Sequence, residues 1–181
     1  MDNGASSYRR FLEGEKEAFD EIVNAYSDGL IFFINRYTQN VTVAEDLAID
    51  VFTELVVHPK RYNFSVSLKT YLYMVGRSRA LNYLKKQKKH TAIDITKVEE
   101  VLADEINLEE QILKDERKRL VSEGLRQLPE DMQIAVHLVY FEDLSYEDTA
   151  RVMKKTRKQV DNLLYRAKAM LRTILKKEEL F

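Results

Sequence analysis

The sequence predicts an all-α protein of two small helical domains joined by an acidic linker, the second domain a helix-turn-helix. Three observations carry this. Glycine (5) and proline (2) are scarce in 181 residues, which leaves little room for sheet turns. Apolar residues recur at spacings of three and four along most of the chain. Charge falls in blocks: residues 1–90 hold 13 Lys+Arg against 11 Asp+Glu, residues 91–116 hold 2 against 9, and residues 117–181 hold 14 against 10. The formal net charge of -1 thus conceals two mildly basic blocks around an acidic middle.

The first strong helical pattern is Phe19, Ile22, Val23, Tyr26, Leu30, Phe33, Ile34 and Tyr37. A second helix is expected from Thr42, where Thr42-Val43-Ala44-Glu45 has the form of a capping box, with Leu47, Val51, Phe52 and Leu55 on one face. Pro59 ends that element or lies just beyond it. A polar and aromatic loop, Lys60 to Ser67, precedes a long helix from Leu68 to about Lys89 that starts aromatic and ends KKQKKH. Residues 91–108 are acidic and weakly patterned, as a linker would be. A further helix is expected from Leu108 to Gln127, broken at Leu128-Pro129, and Pro129 suits the first turn of the next helix, which holds Met132, Ala135, Val136, Val139 and Tyr140.

The last segment is punctuated twice. Ser145 with Asp148 is a weaker capping box for a short helix ending near Met153, and Thr156-Arg157-Lys158-Gln159 is a second box that starts a new helix. Two helices around so short a break form a helix-turn-helix. The second helix has the apolar stripe Val160, Leu163, Leu164, Ala167, Leu171, Ile174 and Leu175, and opposite it Arg157, Lys158, Asp161, Asn162, Tyr165, Arg166 and Lys168. In such a motif the second helix enters the major groove and presents donors to base edges. A solvated charged helix in a bundle reads equally well from pattern and charge alone; the paired caps favour DNA.

Tyr62, Phe64, Lys69, Tyr71, Tyr73, Arg77, Arg79, Tyr83, Lys85 and Lys86 mix rings with cations, a combination suited to single-stranded DNA. Taken alone, Tyr71 and Tyr73 read better as core and the lysines as a solvated helix end. The absence of cysteine excludes disulfides and thiol chemistry, and His58, His90 and His137 have no metal-ligand spacing. Carboxylates are not paired with histidine or set in a phosphate loop, so no enzyme and no cofactor are expected. No signal peptide or membrane span is evident, and a cytoplasmic protein is expected.

The order AEDLAIDVF (44–52), YLYMVGRSRALNYLKK (71–86), LP (128–129), LSYEDTARVM (144–153) and YRAKAMLR (165–172) resembles a bacterial RNA polymerase sigma factor of the small extracytoplasmic-function type. The resemblance implies a transcription initiation factor that binds core polymerase, directs it to specific promoters and opens them. It implies a domain at 1–90 for polymerase binding and minus-ten recognition, a linker at 91–108, and a domain at 109–181 for minus-thirty-five recognition. Glu45, Asp46, Leu47, Asp50, Phe52 and Leu55 fall where the family meets the polymerase β′ clamp helices, with Ile49 where Gln is usual. The loop Tyr62–Ser67 falls where a non-template base is flipped into a pocket. Asn63, Phe64, Lys69, Tyr71, Arg77, Arg79, Asn82, Tyr83 and Lys86 are then the minus-ten and melting residues, with Tyr71 in place of the usual Trp and Ser78 in place of Asn. Arg157, Lys158, Asn162, Tyr165, Arg166 and Lys168 become the minus-thirty-five contacts. Lys154 replaces a common Gly in the turn, and Asp161 and Leu163 stand where basic residues are common. The implied partners are core polymerase (β′ clamp helices and β flap), promoter DNA and an anti-sigma factor, without membrane insertion. The alternatives are a stand-alone helix-turn-helix regulator and an adaptor that uses the same helices for protein contacts.

Overall fold

The computed structural model describes residues 4–91 and 116–178, all helices and connecting turns with no strand among them. The chain divides into two compact units, Met1–Asp104 and Glu105–Phe181. The expected linker lies outside the described residues, except that Thr91 closes a helix, and so does the start of the helix expected from Leu108.

The first unit contains α1 (Ala5–Leu12), α2 (Glu17–Thr38), α3 (Val41–Val57) and α4 (Leu68–Thr91). Helix α2 packs on both α3 and α4, and α1 packs on α2. The α2 pattern read from the sequence buries Ile22, Leu30, Phe33 and Ile34 against Ala44, Ala48, Val51, Leu55, Leu68, Leu72 and Tyr73. Gly76 permits the close approach of α4 to α2: a Cβ there would stand 2.9 Å from a Leu30 methyl. The start of α3 corrects the expected Thr42 box. Asn40 is the N-cap, and its side chain accepts from the Val43 amide at 3.1 Å. Asn outranks Thr as a cap, and starting the helix two residues earlier leaves Thr42 exposed inside the first turn. Pro59 opens a 3₁₀ turn, Pro59–Arg61, just past the helix end, as expected. Helix α1 was not foreseen. It follows Gly4, whose left-handed backbone (φ 83°) lets the chain turn against Tyr26 and Leu68.

The second unit contains α5 (Glu116–Arg126), α6 (Glu130–Val136), α7 (Tyr146–Met153) and α8 (Arg157–Glu178). Helices α5, α6 and α7 all pack on α8. The Leu128-Pro129 break is real, with Pro129 at the cap position, one residue earlier than expected. The Gln133 side chain donates to the Leu128 carbonyl at 2.7 Å and so closes the break. Beyond Val136 the helix widens into a π-helical segment, His137–Phe141, which pattern reading did not distinguish from α-helix. The core joins Leu128, Met132, Ile134, Ala135 and Leu138 to Val152, Met153, Val160, Leu164 and Ala167.

Candidate nucleic-acid interface

In the second unit, local hydrogen bonds set the angle between α7 and α8. The Ser145 hydroxyl oxygen accepts from the Asp148 amide at 3.0 Å and its hydrogen goes to the Asp148 carboxylate at 2.8 Å. At the α7 end Lys154 is left-handed (φ 53°), its amide donates to the Arg151 carbonyl, and the Lys155 amide donates to Ala150. This is a Schellman closure, with a lysine where glycine would be cheapest. The Thr156 box is complete in both directions: the Gln159 amide donates to Thr156 Oγ1 at 3.2 Å, and the Thr156 amide to Gln159 Oε1 at 2.7 Å.

All six expected minus-thirty-five residues lie exposed on α8, but they are not equivalent. Arg157 meets Glu147 of α7 at 3.1 Å. Lys168 sits 5.3 Å from the Tyr140 ring, and its bond with the Tyr140 hydroxyl holds its ammonium above the usual lysine range. Lys158, Asn162, Tyr165 and Arg166 share the face farthest from the core, and none is in an ion pair among the described residues. Tyr165 is 76% exposed, too open to be a packing residue.

In the first unit the candidate surface is a loop on an aromatic floor. The Tyr62 hydroxyl donates to the Val66 carbonyl at 2.8 Å, and the Ser65 amide donates to the Asn63 side chain at 3.1 Å, which tightens Tyr62–Ser67 into a compact turn. The Ser67 hydroxyl accepts from the Thr70 amide at 3.0 Å and so caps α4. Ring centroids lie 4.6 Å apart for Tyr62 and Phe64, 5.1 Å for Tyr62 and Tyr71, and 5.6 Å for Tyr8 and Tyr62. Tyr8 and Tyr62 are buried, Phe64 and Tyr71 are half-buried, and Asn63 is exposed. Tyr73 is wholly core. Burial pushes the Tyr8 hydroxyl up to about 12, and burial with the Glu54 charge raises Tyr71.

The two arginines nearest the α3–α4 seam are engaged by carboxylates. Arg79 bridges to α3 through Asp50 at 3.2 Å and Glu54 at 2.5 Å, and Glu54 also holds Arg61 at 2.6 Å. The Arg61 hydrogen bond, aided by Arg79, holds the Glu54 carboxyl below its usual range against the effect of burial. Arg79, read from the sequence as a strand contact, is thus placed in a clamp that ties α4 to α3, and Asp50 is spent on the same clamp. Lys69 lies over Tyr26 at 6.0 Å. Asn82 and Lys86 are exposed, and Arg77 and Tyr83 half-exposed, along the outer side of α4.

On α3 the expected polymerase face separates into two sets. Glu45, Asp46 and Asp50 are exposed and Leu47 half-buried, whereas Phe52 and Leu55 lie inside the bundle and hold the helix. Sequence reading marked Ile49 (63% exposed) only as a departure from the family pattern and missed Val56 and Val57 (61%), which with it add an apolar stripe beside those acids. It also missed Tyr8, Glu54 and Arg61. The stripe had a signal, since α3 carries more apolar positions than one buried face can take. The clamp had none. Among the described residues no cluster of His, Cys, Asp or Glu could hold a metal, and no helix is long and apolar enough to cross a membrane.

A capped helix-turn-helix with an open basic face, in a chain that also carries an aromatic loop beside cations, defines a DNA-binding protein of two modules. The chain belongs to the sigma-70 family of RNA polymerase sigma factors, in its extracytoplasmic-function group: residues 22–90 match Sigma-70 region 2 and residues 118–171 match Sigma-70, region 4. It is a transcription initiation factor that directs polymerase to promoters. It is 29% identical to the RNA polymerase sigma-H factor of Pseudomonas aeruginosa, over 88% of this chain and 86% of that one. It is 26% identical to the ECF RNA polymerase sigma-E factor of Haemophilus influenzae, over 90% of this chain and 89% of that one. Its fold resembles the sigma factor RpoE solved with the anti-sigma factor NepR from Bartonella quintana, with a TM-score of 0.64 at 18% identity, covering 87% of this chain and 96% of that one.

Proposed function

We propose that the two units divide promoter recognition between them. The first binds core polymerase through the acidic and apolar face of α3 (Glu45, Asp46, Leu47, Ile49) and takes an unpaired minus-ten base at the loop around Asn63 and Phe64, with Tyr71 beneath. Asn82, Tyr83 and Lys86 then guide the strand along α4. The second unit reads the minus-thirty-five duplex with Lys158, Asn162, Tyr165 and Arg166, while Arg157 and Lys168 contact the flanks. The protein works by binding alone, in the cytoplasm, and catalyses no bond change itself. Linkage through polymerase makes the second DNA contact effectively intramolecular, so neither unit needs high affinity by itself.

The observation that carries this reading is the pairing, in one chain, of an aromatic loop with a helix-turn-helix whose outer face is open. A stand-alone regulator needs only the second. The RpoE relative was solved with an anti-sigma factor, which supports an anti-sigma partner for this chain too. The test is co-elution of the full chain with bacterial core RNA polymerase on size exclusion, with displacement by excess housekeeping sigma factor. Substituting Asp46→Ala and Ile49→Ala together should abolish co-elution while thermal stability is kept. A chain that stays free of polymerase yet shifts duplex DNA unaided belongs to an ordinary regulator.

A further inference from the structure

Helix α1 lies outside the residues that match the family, which begin at 22. It is nonetheless built into the loop. Tyr8 is fully buried, its hydroxyl donates to the Leu55 carbonyl at 2.9 Å, and its ring lies under Tyr62 and within 6.1 Å of Phe64. The Gly4 turn and the Tyr8 anchor therefore fix where Arg9, the next residue, stands.

The two adjacent arginines of α1 have opposite surroundings. Arg10 is neutralised by Glu15 at 2.8 Å and by Glu21. Arg9 is exposed and has no ion pair among the described residues; its guanidinium lies 5.0 Å from the centroid of the Phe64 ring. Phe64 is itself left-handed (φ 60°), a strained backbone for a bulky side chain, and its ring lies beside Tyr8 and Arg9 of α1. Among the loop's neighbours, Arg61 and Arg79 are spent on Glu54 and Lys69 lies over Tyr26. Among the described residues Arg9 and Lys60 are exposed cations about the loop without an ion pair, and Arg9 is the one that lies over the Phe64 ring. A cation beside an aromatic platform is the arrangement that holds single-stranded DNA, with the base on the ring and the charge on the phosphate.

We infer that Arg9 is a further DNA-contacting residue, which takes a backbone phosphate of the unpaired strand beside the base lodged at Phe64. This rests on the reading of the Tyr62–Ser67 loop as the base-binding loop.

The experiment uses holoenzyme assembled from the full chain and bacterial core polymerase. The probe is a forked DNA with an unpaired minus-ten strand, its sequence taken from a promoter that the wild-type holoenzyme selects from a random pool. Affinity is measured against salt for wild type, Arg9→Gln, Arg9→Lys and Phe64→Ala. Arg9→Gln should weaken binding and lower the slope of log affinity against log salt by about 0.7, the value for one single-strand phosphate. Arg9→Lys should keep the slope. An Arg9→Gln slope equal to wild type overturns the inference even if affinity falls, because Arg9 would then only steady Phe64. If Phe64→Ala leaves affinity unchanged, the reading of the loop itself fails. If Phe64→Ala weakens binding and Arg9→Gln alters nothing, the loop reading stands and Arg9 alone is excluded.

Discussion

The loop of the first unit and the recognition helix of the second handle charge in opposite ways. Around the loop, carboxylates of the same chain have taken up Arg79, Arg61 and Arg10, and what remains is the half-buried rings of Phe64 and Tyr71 with Arg9 and Lys60 outside any ion pair among the described residues. On α8, Lys158 and Arg166 are open to solvent and the helix is held by its caps and its apolar stripe. The first surface is prepared to hold a base by shape and stacking. The second is prepared to meet phosphates and base edges by charge. Duplex binding by the second unit should accordingly be steeply salt-dependent, and strand binding by the first much less so.

The largest effect that tests this contrast lies under the loop. Tyr8→Ala removes a wholly buried ring and should destabilise the first unit by about 3–5 kcal/mol, read by chemical denaturation. A loss below 1 kcal/mol would show that α1 does not support the loop. Next comes the clamp. Glu54→Gln weakens two charged bonds at a carboxylate only 13% exposed, and should cost about 2 kcal/mol at neutral pH. The sign with pH follows from the depressed Glu54 carboxyl. Its contribution is complete above the unfolded value near 4.5 and is lost as pH falls through the lower folded value. The stability gap between wild type and Glu54→Gln should therefore close on acidification, and a gap that widens would contradict the clamp.

Smaller effects belong to the second unit, where the restraints are local. Thr156→Ala should cost about 1 kcal/mol by opening the capping box, and should weaken duplex binding through a looser α8 start. Thermal melting and a gel shift of the holoenzyme would read the two consequences separately. Lys154→Gly should move the other way and stabilise by about 0.5–1 kcal/mol, because glycine accepts the left-handed turn without a Cβ penalty. A destabilised Lys154→Gly would mean that the lysine side chain outweighs its backbone strain.

How much of this was legible follows from the range of the forces. The α7–α8 pair was readable because its signals are local: Ser145 and Thr156 each bond to a group three residues ahead. Helix α2 was readable from its period. The start of α3 was misread because Thr42 and Glu45 have the right spacing, while Asn40, a better cap, stands two residues earlier. The Arg79 clamp was not readable, since its partners lie 29 and 25 residues away and only the packing of α4 on α3 brings them together. For the same reason sequence reading listed Arg79 among the strand contacts and left out Arg9, which only the packing of α1 brings to the loop. The π-helical widening at His137–Phe141 has the same apolar spacing as an α-helix and left no trace in the pattern.

The most direct test of the whole account is run-off transcription. Core polymerase would transcribe a pool of duplex DNA with and without this protein, and the transcript starts would be mapped. The account predicts defined start sites that appear only with the protein, are lost with Phe64→Ala, and fade with rising salt faster when Lys158 and Arg166 are intact than when both are Gln. Unchanged start sites, together with duplex binding by the protein alone, would contradict it.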